Sequence, residues 1–167
     1  MGQIHKVAQY LKTMYPREER KTIKQAFWKG FKHYMNQYPS STGKRINWLN
    51  YPTKLKILYV RCDVNKSGAI FSIDIQVKDE DIREIVWEQF KELKVVLEAE
   101  IGTSGTWHEE RQNTAGQPIK SIVWELENVD LFNPSDTTAI YSFLKEKLLG
   151  FDVFYQEYNE ILFTLVR

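Results

Sequence analysis

The periodicity of the chain predicts an α+β fold in which about five strands form an antiparallel or mixed sheet, covered by helices mainly on one side. The prediction rests on three features. Between residues 70 and 101, the alternation of Phe71, Ile73, Ile75 and Val77 with Ser72, Asp74 and Gln76 gives way to apolar residues at three- and four-residue steps. The first rhythm belongs to a half-buried strand and the second to an amphipathic helix. Two clusters of turn residues, 65–68 and 113–116, each separate a pair of strand-like runs. Finally, 167 residues at 43% hydrophobic and 14% aromatic content are enough to fill the core of one domain, which at this length buries roughly two thirds of its unfolded surface.

Residues 3–14 set Ile4, Val7, Ala8, Leu11 and Met14 on one side of a short helix, and Tyr15-Pro16 breaks it. Residues 1–14 are therefore expected as a helical extension to a single α+β domain, 15–167. Pro16 opens a second helix with Glu18 and Glu19 at its positive end; Ile23, Phe27, Phe31 and Tyr34 form its buried stripe, and Lys21, Lys24, Lys29 and Lys32 its other face. After the loop Ser40-Ser41-Thr42-Gly43, a short strand is expected at Ile46 to Tyr51, stopped by Pro52. Leu55 to Val64 is apolar on both faces, which predicts a central strand. The turn Asn65-Lys66-Ser67-Gly68 leads to the third strand, at about residues 70–77.

A helix of about six turns follows, with Ile82, Ile85, Val86, Phe90, Leu93, Val96, Leu97 and Ile101 along one stripe, Asp79 as N-cap and Gly102 as its end. Thr106 to Gln112 and Ile119 to Glu127 read as a second hairpin. Asn133, Pro134 and Asp136 open a last helix through Ala139, Ile140, Phe143, Leu144 and Leu148. Beyond Gly150 the pattern resumes with Phe151, Phe154, Tyr155 and Leu162, either as a kinked continuation or as a second terminal helix. The order is helix, helix, three strands, helix, two strands, helix.

The net charge of +1 conceals an asymmetry. Residues 1–66 carry 14 Lys and Arg against three acids, and residues 67–167 carry nine against 19, giving +11 and −10. A basic half can serve a polyanion, or the halves can neutralise each other within the fold or across a dimer. The lone Cys62 excludes an internal disulfide and a thiolate zinc cage, as a reducing cytosol would leave it. The opening residues lack the apolar run of a secretory signal and no window has the length of a membrane span, so a cytoplasmic protein is expected.

Chemistry-bearing motifs are sparse. Asp63 at the end of one strand and Asp74 with Gln76 on the next echo the scaffold of metal-dependent nucleases of the restriction-enzyme type, where two carboxylates share Mg²⁺ and a Lys two residues beyond steadies developing charge. Here Gln76 stands where that Lys would be, so cleavage is not expected, and Asp74 and Gln76 read first as the polar face of a half-buried strand. His5, His33 and His108 have no metal-binding spacing, although His108 and Glu110 are expected on one strand face. No phosphate-cradling glycine loop or nucleophile elbow occurs. Trp28, Lys29, Lys32, Lys44 and Arg45 interleave bases with aromatics as nucleic-acid surfaces do.

Tyr15-Pro16-Arg17-Glu18-Glu19 with Phe27-Trp28 and Phe31, then Ile46-Asn47-Trp48-Leu49-Asn50-Tyr51, then Asp81-Ile82-Arg83-Glu84 with Glu88-Gln89-Phe90 resemble a bacterial family of unknown function, found alone or appended C-terminally to nuclease-like domains. The resemblance spans residues 15 to about 160 and brings no catalytic residues with it. It implies bacterial origin and a DNA-related or defence setting. The expectation is a non-enzymatic module, without a cofactor, binding nucleic acid or a nuclease-type protein through Trp28, Lys29, Lys32, Lys44 and Arg45. One alternative is a divergent or inactive nuclease-like domain using Asp63, Asp74, Gln76 and Mg²⁺. The other is a homodimer that sets the basic half against a neighbour's acidic half.

Overall fold

A computed structural model describes Gln3, Ile4 and residues 16–167, so the helix expected over residues 3–14 lies almost wholly outside the described residues. The fold is α+β, with one four-stranded antiparallel sheet and four helices described from end to end. In chain order these are α1 (Arg17–Met35), β1 (Leu58–Val64), β2 (Gly68–Ile75), α2 (Glu80–Glu92), α3 (Lys94–Ile101), β3 (Thr106–Gln112), β4 (Pro118–Glu127) and α4 (Thr137–Val166). The sheet order is β1-β2-β4-β3. No described helix is long and apolar enough to cross a membrane.

The strand count is four where five were expected, because Ile46 to Tyr51 does not pair. Trp48–Asn50 is instead a single 3₁₀ turn, with the Asn47 side chain accepting from the Asn50 amide. Trp48 and Tyr51 are both buried, and Trp48 donates its indole N–H to the Tyr38 carbonyl at 2.8 Å. Two core residues three apart share a face only in a helical turn; in a strand they would point to opposite sides.

The expected central position of the next strand is also corrected, since β1 is an edge strand and begins at Leu58. Its neighbour β2 is central, with β1 on one side and β4 on the other. The hairpin closes through Asn65, whose side chain accepts from the amides of Ser67 and Gly68. Gly68 permits the crossing to β4, because a Cβ there would stand 2.7 Å from the Leu126 carbonyl oxygen.

One face of the sheet carries Phe71, Ile73 and Ile75 of β2 with Ile122 and Trp124 of β4, and the buried apolar residues of all four helices join these in one cluster. Phe71 meets Phe151 of α4 with ring centres 6.4 Å apart, and Trp87 of α2 meets Trp107 of β3 at 5.3 Å. Ile119 and Val123 on the other face are buried but lie outside that cluster.

The six-turn helix is two helices. Asp79 caps α2 as expected, accepting from the amides of Asp81 and Ile82, but the chain turns at Leu93 (φ −93°, ψ 7°) before α3 runs to Gly102. The last helix, by contrast, is one piece of 30 residues, about 45 Å long. It continues through Gly150, where a Cβ would stand 2.4 Å from the Glu100 carbonyl oxygen. Glycine there lets α3 and α4 touch backbone to backbone.

Candidate functional site

Eight of the twelve described basic residues of the first half lie on α1 and the loop after it. Arg17, Lys21, Lys24, Trp28 and Lys32 follow one another at steps of four, three, four and four residues, so they share one flank of the helix over about 22 Å. Lys29 lies on the outer side of the same helix. The flank adjoins the buried stripe Phe27, Phe31 and Met35, which fixes its orientation relative to the core. Trp28 is half-buried, its ring edge-on to Phe27 at 5.1 Å, so part of the indole stays at the surface between cations. At the start of the helix, Arg17, Arg20, Lys21 and Lys24 border a cleft of about 450 Å³ with Phe132.

Lys44 and Arg45 are exposed on the loop that leaves α1. The loop is held by Asp152 of α4, 1% exposed, which accepts from the Ser40 hydroxyl, the Ser41 amide at 2.7 Å, the Tyr51 hydroxyl and the Gln156 side chain. Burial, and then the hydrogen bond to the Asp152 carboxylate, push the Tyr51 hydroxyl well above its ordinary range, so it remains a donor.

Ion pairing leaves these cations free. Among the described residues, Arg17, Arg20, Lys21, Lys24, Lys29, Lys32, Lys44 and Arg45 have no carboxylate within 4 Å; the first half's described pair is Arg61–Asp74. The other pairs, Lys91–Glu88, Lys91–Glu109, Lys120–Glu84 and Lys147–Glu146, join residues of the second half. The later segments thus spend their lysines on their own acids, and among the described residues Arg61–Asp74 is the one ion pair that joins the two halves.

Asp63, Asp74 and Gln76 lie on the sheet face turned away from the core cluster. The register pairs Asp63 with Ile70 and Tyr59 with Asp74, which separates the two carboxylates by four residues along the strands, about 13 Å. Arg61 donates to Asp74 at 2.6 Å and to Gln76 at 3.0 Å, while Ser121 donates to the other Asp74 oxygen at 2.5 Å. Arg111 reaches the Ser121 hydroxyl at 3.3 Å. Asp63 accepts from the Val64 amide. Two carboxylates so far apart, one of them saturated by a guanidinium and a hydroxyl, do not fit a shared divalent cation, and no cluster of three or more metal-ligating side chains occurs among the described residues. A register shift between His108 and Arg111 also breaks the alternation expected to align His108 with Glu110.

Sequence reasoning singled out Lys29, Lys32, Lys44, Arg45 and Trp28, and the structure leaves the four cations exposed. It missed Arg17 as part of the same flank, although the four-residue step to Lys21 was there to be read. It also missed Arg61, because the partner of a strand residue depends on register. The family model for a domain of unknown function (DUF4268) matches residues 23–159, and the chain belongs to that family. No curated protein and no solved structure matches it.

Proposed function

We propose that this DUF4268 member binds nucleic acid along the α1 flank, with Arg17, Lys21, Lys24, Lys29 and Lys32 on phosphates, the exposed edge of Trp28 against a base or sugar, and Lys44 and Arg45 extending the contact past the end of the helix. The observation that carries this reading is the unpaired state of those cations: side chains free of carboxylates repel one another and can release counterions when a polyanion takes their place. Successive cations at four-residue steps stand about 6 Å apart, a spacing matched to neighbouring phosphates of a single strand. The nuclease-like neighbours implied by the sequence resemblance would put this surface beside DNA. Asp74, held by Arg61 and Ser121, serves in this reading as a strut of the sheet.

The test is a titration of labelled single-stranded and duplex DNA and RNA across a salt series. Five phosphate contacts on duplex DNA give a slope of log affinity against log salt of about −4.5, so affinity falls ~500-fold between 50 and 200 mM. Replacing Lys21, Lys24 and Lys32 by Glu weakens binding and flattens the slope. Absence of binding at 50 mM salt, or affinity unchanged in the triple variant, overturns the reading.

A further inference from the structure

We propose that the outer edge of β1 is a docking site for an extended acidic peptide, which adds to the sheet as a fifth strand. This goes beyond the nucleic-acid reading and uses a different surface.

Hydrogen-bonded pairs alternate along an antiparallel ladder. The Gln76 amide donates to the Ile57 carbonyl and the Asn65 amide to the Gly68 carbonyl. With this register, Tyr59, Arg61 and Asp63 turn their backbone groups toward β2, while Leu58, Val60, Cys62 and Val64 turn theirs outward. The ends of that outer row are already capped. The Leu58 amide donates to the Leu55 carbonyl, the Leu58 carbonyl accepts from the Thr53 hydroxyl at 2.9 Å, and the Val64 amide donates to the Asp63 carboxylate at 2.9 Å. Val60 and Cys62 between them keep an amide and a carbonyl each, facing out.

Those groups open into a cleft of about 720 Å³ between β1 and the segment 49–55, with Leu49 and Leu55 on its wall. The wall is preformed. Thr53 ties it to β1, the Tyr155 hydroxyl donates to the Thr53 carbonyl, and Lys54 is held at a φ of 59°, a left-handed conformation that a lysine adopts only when its surroundings enforce it. The opposite edge of the sheet is blunted, because β3 carries the register shift between His108 and Arg111.

Charge selects the occupant. Lys54, Lys56 and Lys66 flank the slot, all exposed and, among the described residues, with no carboxylate within 4 Å. Two copies of this chain paired antiparallel with Val60 opposite Cys62 would set Lys56 opposite Lys66, and like charges facing across a ladder are unfavourable. An extended peptide with acidic ends gains from the same lysines, its alternate central side chains lying beside Val60 and Cys62.

The probe is a labelled ten-residue peptide with three glutamates at each end and alternating valine and threonine between, titrated into the full chain by fluorescence anisotropy. Saturable binding is expected, at least tenfold weaker for the Lys56→Glu/Lys66→Glu protein and for a peptide N-methylated at alternate central residues, but unchanged in Lys21→Glu/Lys24→Glu. Hydrogen exchange at the Val60 and Cys62 amides slows at least tenfold with peptide present. No saturation, or equal binding of the methylated peptide, overturns the proposal. So does protection of those two amides without peptide in a protein that sediments as a dimer, since the occupant is then a second copy. Failure here leaves the nucleic-acid titration untouched, and the converse also holds.

Discussion

Asp152 decides where the basic loop sits. It is an acid at 1% exposure whose neighbours are neutral donors, from the Ser40 and Tyr51 hydroxyls to the Ser41 amide and the Gln156 amide group. Each oxygen of this carboxylate is met by a donor, and removing it leaves those donors unsatisfied. Asp152→Ala is expected to cost about 3 kcal/mol in urea unfolding, and Asp152→Asn less, because one oxygen survives. A change under about 0.5 kcal/mol in both variants would show that the loop is held by something else. Nothing in the local sequence marks this residue. Apart from Gln156, one helical turn on, its partners are more than a hundred positions away, and only the fold brings Ser40 and Tyr51 to it.

At the scale of elements, what could be read in the chain was what local rhythm determines. The alternation in β2 and the Asp79 cap of α2 fixed those elements closely, and β3 runs from Thr106 to Gln112 as expected. The errors lie where a distant partner decides. Leu55 to Val64 looked central because both faces are apolar, but whether a strand is an edge depends on β4 joining the far side of β2. The Leu93 turn falls inside an unbroken apolar stripe and has no glycine or proline to announce it. Gly150 looked like a stop and is a contact. Gly150→Ala gains about 1 kcal/mol of helix propensity but drives a methyl group to 2.4 Å from the Glu100 carbonyl oxygen, so a net loss of roughly 2 kcal/mol is expected from the displacement of α3. A denaturant titration checks the sign: stabilisation would mean that the two helices part without cost.

For the whole molecule, the half-buried Cys62 and the buried Tyr51 and Tyr155 set the response to alkali. Burial, with the Asp63 charge adding to it, pushes the Cys62 thiol up to about 12. Burial first raises Tyr51 and Tyr155 as well. All three hold their protons more tightly folded than unfolded, where a thiol loses its proton near ~8.5 and a phenol near ~10. Their contribution is therefore complete below about pH 8.5 and declines as pH rises toward the folded values. The thermal midpoint should fall steadily from pH 8.5 to 11, less steeply in Tyr51→Phe; a flat profile would contradict the assignment. Tyr155 lies on α4 and Tyr51 packs against it; that long helix also receives Phe31 through Tyr141, the sheet through Phe151 and the basic loop through Asp152. Because that helix follows both hairpins and every lysine of the basic flank in the sequence, a chain leaving the ribosome carries all of them out before the part that organises them. Until that part emerges, the growing chain shows its unsheltered aromatic side to the cell.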